Sequence, residues 1–277
     1  MILADRPHET RHRMAFLTTD DGTKLYWEES GAGAPLLLIQ GLGWSADMWY
    51  SLVPELETAY RVIRYDARGI GRSDVPAGPY RIERMADDAI AVLRAAGVDA
   101  AHVLGVSLGG IVAQEVALRH PAAVTSLILG CTHPGGAETI WPDAEVLAAL
   151  KNRASTSFDD LVAQAREFAY APGARCVEED IRRRLELPTS NEGYEAQLMG
   201  GLTFQGTTSR LPSLTVPVLV FTGDLDRMVP PKNSENIAAA VPGATLVVIP
   251  GAGHVNFTEQ PAAVAKSVRE FLERVDA

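Results

Sequence analysis

The stretch VLGVSLGG, residues 103–110, closes an apolar run on a serine that has glycine two positions to either side. A hydroxyl in so cramped a corner suits one kind of chemistry, a nucleophile raised above a strand-to-helix elbow. For its Oγ to clear a sheet, Ser107 must sit on a turn so tight that backbone passes close to positions 105 and 109. A Cβ there would collide, and Gly105 and Gly109 carry none. The segment Leu108 to His120 then reads as a helix, whose free N–H groups and positive dipole end face an oxyanion formed beside Ser107. A GxSxG pattern arises by chance in roughly one chain in ten of this composition, so context decides. Here the strand-like AHVLGV precedes it and a helix follows.

A serine hydroxyl is a weak nucleophile until a base takes its proton, and the base needs an acid to hold its tautomer. Six histidines are available. His8 and His12 fall in an unpatterned leader, His102 opens a strand, His120 ends a helix before Pro121, and His133 lies where the strand pattern stops. His254, in PGAGH, follows the last strand at the carboxyl edge that Ser107 also occupies. For the acid, VLVFTGDLDRMVP closes the preceding strand and offers Asp224 and Asp226, which spacing alone does not separate. The order Ser, Asp, His is that of one hydrolase architecture and not of the chymotrypsin or subtilisin types.

The elements that must position these residues are legible as patterns. Ala15–Thr19 and Lys24–Glu29, split by DDG, predict a hairpin. APLLLIQG, RVIRYD, AHVLGVS, VTSLILGCT, VPVLVFTGD and ATLVVIPG are short continuous apolar runs, which suit strands covered on both faces. Helical periods fill Met48–Thr58, Arg84–Ala96, Leu108–His120, Lys232–Val241 and Ala262–Val275. The alternation implies an α/β fold with a doubly wound, mostly parallel sheet, whose ligands bind beyond the carboxyl ends of the strands. Residues 135–214 break it with no strand and four helical candidates, Asp143–Arg153, Phe158–Tyr170, Val177–Leu187 and Glu192–Phe204. An inserted helical lid over 135–214, on a core of 1–134 and 215–277, is the expected organisation. Lids exclude water and choose substrates.

With RVIRYDARGIGRSDVPAGPY, GVSLGGIVAQEVALRHP, FTGDLDRMVP and GAGHVNFTEQP, the chain resembles the α/β-hydrolase superfamily. Within it the likeness is to the 3-oxoadipate enol-lactonase, carboxylesterase and cofactor-free haloperoxidase-like group. The resemblance implies an acid at the fourth residue of a G-x-x-D turn, which maps onto Gly223 and Asp226. It also implies oxyanion donors at the backbone N–H of Leu42 and Leu108. Where relatives carry His-Gly before the oxyanion loop, this chain has Gln40 and Gly41, and a backbone donor survives that change. In DARGIGRS, Ile70 stands at a position relatives fill with histidine, and Asp66 and Arg68 are expected to build a structural turn. Gln40, Trp44 and Trp141 are expected to line the substrate pocket. Of the other lid aromatics, which face a pocket and which merely dock their helices is open.

The whole-chain numbers narrow the remaining classes. At 277 residues, 47% hydrophobic and 22% charged, the composition is that of an ordinary globular chain. A net charge of −10 repels phosphate backbones and anionic lipid, so neither nucleic acid nor membrane is an expected partner. The triplet Arg182–Arg184 lies among Glu178, Glu179, Asp180 and Glu186 and reads as a solvated helix face. Two cysteines, Cys131 and Cys176, form neither a disulfide framework nor a metal-type spacing, and no secretory leader is visible. A cytoplasmic enzyme is expected. GxGxxG, GxxxxGK and HExxH are absent, so no metal and no cofactor are expected.

The expected activity is hydrolysis of a small-molecule carboxylic ester or lactone through an acyl-enzyme, with Ser107, His254 and Asp226 as nucleophile, base and acid. The same residues would serve carbon–carbon bond hydrolysis or perhydrolysis, or survive in a ligand receptor. Lid arginines at 153, 166, 175, 182, 183, 184 and 210 would matter to an anionic substrate, and their facing is open, as is the oligomeric state.

Overall fold

The computed structural model describes residues 12–151, 157–187 and 189–277. His8 and Arg153, named above, and the last residues of the expected helix 143–153 lie outside them. Eight strands form one sheet in the order β1-β2-β4-β3-β5-β6-β7-β8. They are β1 (Arg13–Thr18), β2 (Lys24–Ser30), β3 (Ala34–Ile39), β4 (Tyr60–Tyr65), β5 (Ala101–Val106), β6 (Val124–Gly130), β7 (Val218–Gly223) and β8 (Thr245–Ile249). β1 and β2 pair antiparallel as the expected hairpin, β2 meets β4 antiparallel, and the remaining pairs are parallel.

Every residue of β5 and β7 is buried, as continuous apolar runs require when both faces are covered. In β3 the alternation divides the load. Leu37 and Ile39 enter one core with Val103, Leu127 and Val220, while Leu36 and Leu38 enter the other with Leu104, Ile128 and Phe221. The first core packs under α2 (Ile82–Ala95), α3 (Leu108–Arg119) and α8 (Lys232–Ala240), the second under α1 (Val53–Leu56) and α10 (Pro261–Val275). A short α9 (Asn256–Glu259) follows the last strand.

One expected helix does not form. Met48–Thr58 divides into a 3-10 turn at Ala46–Trp49 and the four-residue α1. Pro54 is the cause, since it has no N–H to give and its ring crowds the carbonyl four residues back.

Between β6 and β7 the described residues hold no strand. Helices α4 (Ala144–Lys151), α5 (Phe158–Phe168), α6 (Val177–Glu186) and α7 (Asn191–Thr203) follow one another there. A capping box starts α5, in which Ser157 accepts from Asp160 N–H. Along α7, Gly193 and Gly200 stand seven residues apart on one face. A Cβ at either would come within 2.1 Å of the Gly69 carbonyl oxygen or 1.8 Å of that of Tyr80. Bare backbone thus lets α7 lie directly on the loops after β4.

The chain steps from β3 outward to β4 and then back past β3 to β5. This reversal opens a crevice beyond the carboxyl ends of β3 and β5, the place where such sheets bind ligands.

Candidate active site

β5 ends at Ser107, whose backbone sits at φ 54° and ψ −124°, a strained conformation for a residue with a Cβ. Hydrogen bonds hold it there. Ser107 N–H donates to the Gly130 carbonyl at 3.0 Å, and its own carbonyl accepts from Thr132 Oγ1 at 2.6 Å and Gly110 N–H at 2.9 Å. The two expected glycines are sterically required: a Cβ on Gly105 would lie 2.2 Å from the Gly109 oxygen, and one on Gly109 would lie 2.3 Å from that of Ile39.

His254 and Asp226 arrive from the tips of β8 and β7. His254 Nε2 lies 3.1 Å from Ser107 Oγ, and His254 Nδ1 lies 2.9 Å from Asp226 Oδ2. The other carboxylate oxygen of Asp226 accepts from Met228 N–H at 2.9 Å and Val229 N–H at 2.8 Å, so its orientation is set by its own turn. Asp224 points elsewhere and takes Gly251 N–H at 2.7 Å. Of the two carboxylates that spacing left open, only Asp226 reaches the imidazole.

The loop after β3 passes beside Ser107. Among the described residues no acceptor takes the N–H of Leu42 or of Leu108, and Leu108 opens α3, where the first N–H groups lack helical partners. Gln40 folds back on this loop. Its Oε1 accepts from Gly41 N–H at 2.8 Å, while its Nε2 is buried without a partner. Two residues of the helical stretch, with no signal in their local sequence, clamp the next turn: Gln197 Oε1 accepts from Gly43 N–H at 3.1 Å, and Thr189 Oγ1 donates to the Gly43 carbonyl at 2.9 Å.

The same stretch also holds the histidine loop. Ala169 O accepts from His254 N–H at 2.8 Å, and the half-buried carboxylate of Glu259 takes both Ala171 N–H at 2.9 Å and Gly253 N–H at 3.0 Å. Burial pushes the Glu259 carboxyl above the ordinary range, and these backbone donors oppose it. Nearby, Asp180 of α6 accepts from Tyr50, Tyr170 and Thr258 hydroxyls at 2.6, 2.7 and 2.6 Å, a buried knot between α6, the loop after β3 and α9.

Over these residues lies a cavity of about 210 Å³. Gln40, Leu42, Ser107, Leu108 and His254 form its floor, and the expected Trp44 and Trp141 stand in its wall. Trp44 meets Phe257 edge-on at 6.2 Å, whereas Met48 and Trp49 belong to the core. Phe168, Tyr170 and Tyr194 face the cavity; Phe158, Met199 and Phe204 do not. His133, whose sequence position gave no reason to select it, also lines the wall, 5.5 Å from the Trp141 ring. Gly135 N–H donates to its Nδ1 at 3.1 Å, which leaves the proton on Nε2. Burial and the nearby His254 pull its pKa down to about 4.

Asp66 and Arg68 are structural, as expected. Asp66 takes Ala46 N–H and the Arg72 side chain, and Arg68 pairs with Asp88 at 2.6 Å. The reading of Arg182–Arg184 as one solvated face needs correction. Arg182 and Arg183 pair with Glu179 on the outside, but Arg184 lines the cavity, because three consecutive helical residues span about 200°. Arg166 pairs with Glu178 and Arg210 with Glu115. One group among the described residues has the donor types of a metal site: Cys131, Asp226 and His254, with ligand atoms within 4.8 Å of one another. Asp226 and His254 already bond each other, and burial raises the Cys131 thiol well above its usual range, against the thiolate a metal needs.

The family model described as alpha/beta hydrolase fold matches residues 34–261. The chain belongs to the α/β-hydrolase fold family. This hydrolase is 33% identical to the rhodomycin D methylesterase DauP of Streptomyces sp. strain C5, over 86% of its length and 91% of the relative's. It is 30% identical to a pimeloyl-[acyl-carrier protein] methyl ester esterase of Edwardsiella ictaluri, over 90% and 97% of the two chains. The enol-lactonase of Burkholderia xenovorans LB400 superposes with a TM-score of 0.81 at 26% identity, covering 94% of this chain and 100% of that one. On this fold the hydrolase places Gln40 beside its loop after β3, and Ile70 is buried in the turn after β4. No helix among the described residues is long and apolar enough to cross a membrane.

Proposed function

We propose that the protein is a serine hydrolase of small carboxylic esters or lactones. The observation that carries this reading is the hydrogen-bonded line Ser107 Oγ, His254 Nε2, His254 Nδ1, Asp226 Oδ2, with steps of 3.1 and 2.9 Å, built on a strained elbow under a cavity. His254 takes the Ser107 proton as Oγ bonds to the substrate carbonyl carbon. The carbonyl oxygen becomes an oxyanion, for which the N–H groups of Leu42 and Leu108 are free. The C–O bond to the leaving group then breaks, and His254 returns the proton to the departing alkoxide. Water, deprotonated by His254, attacks the acyl-serine; the bond from the acyl carbon to Ser107 Oγ breaks, His254 returns the proton to Oγ, and the acid leaves. Asp226 keeps the imidazole in the required tautomer and balances the imidazolium.

Residues 135–214 serve as the cap of this site, on a core of 1–134 and 215–277; the contacts of Ala169, Thr189 and Gln197 with the site loops support that division. The ester- and lactone-cleaving relatives support the bond type. The two free thiols, Cys131 and Cys176, fit a cytoplasmic setting.

The decisive experiment is Ser107→Ala, assayed on p-nitrophenyl esters and lactones and by covalent labelling with a fluorophosphonate. Turnover is expected to fall roughly 10⁴- to 10⁶-fold, and labelling to disappear. Unchanged ester turnover in this variant overturns the reading.

A further inference from the structure

Arg182, Arg183 and Arg184 are consecutive on α6 yet meet different surroundings. Arg182 and Arg183 each reach Glu179 at 2.7 Å on the outer side. Arg184 instead follows, at i+7 and half-buried, the stripe of buried residues Val177, Asp180 and Ile181. With Ile181 it enters the wall of the cavity above Ser107 and His254. No lysine, second arginine, aspartate or glutamate stands in that wall among the described residues. Nor does any described residue give Arg184 a hydrogen bond or an ion pair.

A guanidinium so placed is a cation without a counter-charge. Burial pulls its pKa below the ordinary arginine value, with Tyr170 and Tyr194 opposing, and it stays protonated. A charge partly withdrawn from water gains when an opposite charge meets it. Other lid arginines found theirs within the chain, Arg166 in Glu178 and Arg210 in Glu115. Arg184, half-buried at the cavity wall, keeps its donors open to whatever fills the cavity. The planar fork of the guanidinium matches a carboxylate, and the apolar wall around it suits a hydrocarbon spacer.

We infer that the substrate carries a carboxylate besides the carbonyl that Ser107 attacks, and that Arg184 binds this second group. The inference rests on the ester or lactone reading above and narrows it to half-esters of dicarboxylic acids, or lactones bearing a free acid.

The test is binding measured without turnover. Ser107→Ala protein is titrated calorimetrically with monomethyl esters of α,ω-dicarboxylic acids of increasing length, and with methyl alkanoates of matching length. At the length that spans from Ser107 to Arg184, the anionic ester is expected to bind about 10- to 100-fold more tightly than its neutral partner. Adding Arg184→Met should erase that difference while leaving neutral binding in place, which also reports that the variant is folded. Arg184→Lys should restore part of it. Equal affinity within every pair overturns the proposal, as does failure of every anionic member to bind, or an Arg184→Met loss that falls equally on both series. Labelling of Ser107 by a neutral fluorophosphonate in an Arg184→Met protein reports on the serine reading separately.

Discussion

Ser107, Asp226 and His254 stand at the tips of three parallel strands, whereas the four helices between β6 and β7 reach the same cavity by touching loops. The strand tips supply the atoms aligned for proton transfer. The helical stretch supplies the partners that hold those atoms' loops in place, Ala169 for the histidine loop and Gln197 and Thr189 for the loop after β3, together with a wall that includes Arg184. These four helices and the turns between them are thus part of the scaffold that holds the loops around the cavity.

Four measurements would break or sharpen that contrast. The largest effect is expected at a strand tip. Asp226→Asn should lower kcat about 10⁴-fold, since the amide favours the wrong histidine tautomer. Asp224→Asn, which alters only the bond to Gly251, should stay within a few fold of the parent, and steady-state kinetics of the pair separates the two carboxylates.

Next is Glu259, which joins the histidine loop to the turn after α5. Glu259→Ala leaves the N–H groups of Ala171 and Gly253 unpaired and should cost about 3 kcal/mol in urea unfolding. A fall in kcat with unchanged labelling selectivity would accompany it. If the cap were free of the core, stability would be unaffected.

His133 reports on the wall through pH. Its pKa is lowered from 6.5 to about 4 in the folded protein, so between these values the unfolded chain binds the proton and the native one does not. Its contribution is therefore complete above pH 6.5 and is lost as pH falls toward 4. In His133→Gln the stability measured across this window should fall less steeply than in the parent, by at most about 3 kcal/mol in total. An identical pH profile for both proteins would contradict the assigned environment.

The smallest effect is expected from Gln197→Ala, which removes one acceptor from the loop after β3. A loss of about 1 kcal/mol and a kcat reduced several-fold, with KM little changed, would mark Gln197 as a positioning residue. Gln197→Glu, which keeps the accepting oxygen, should recover most of kcat.

Much of the sheet was readable because a strand buried on both faces must be apolar throughout, and no other short element has that demand. The hairpin, six parallel-type runs and, Met48–Thr58 apart, the helices flanking them lie where their patterns place them. Met48–Thr58 keeps a helical period in its apolar residues, but Pro54 breaks the backbone within it. In the site, Ser107 was legible from steric need, as its glycines admit no Cβ, and His254 from its place after the last strand. His133 and Gln197 were not. Their partners lie in distant loops or depend on which way a short turn faces, and neither residue has a neighbour in sequence that betrays this.

The sequence by itself determined the elbow, the strands and the helical phase of α6, because each follows from local backbone sterics or from side-chain period within a dozen residues. Only the tertiary structure decided that Asp226 and not Asp224 meets the imidazole, that Gln197 reaches Gly43 across 154 positions, and that the inward stripe of α6 ends in a cavity at Arg184. Those outcomes depend on how separate elements pack against one another. A local pattern gives each helix or strand a face to bury, but the group waiting on the other side belongs to a distant part of the chain.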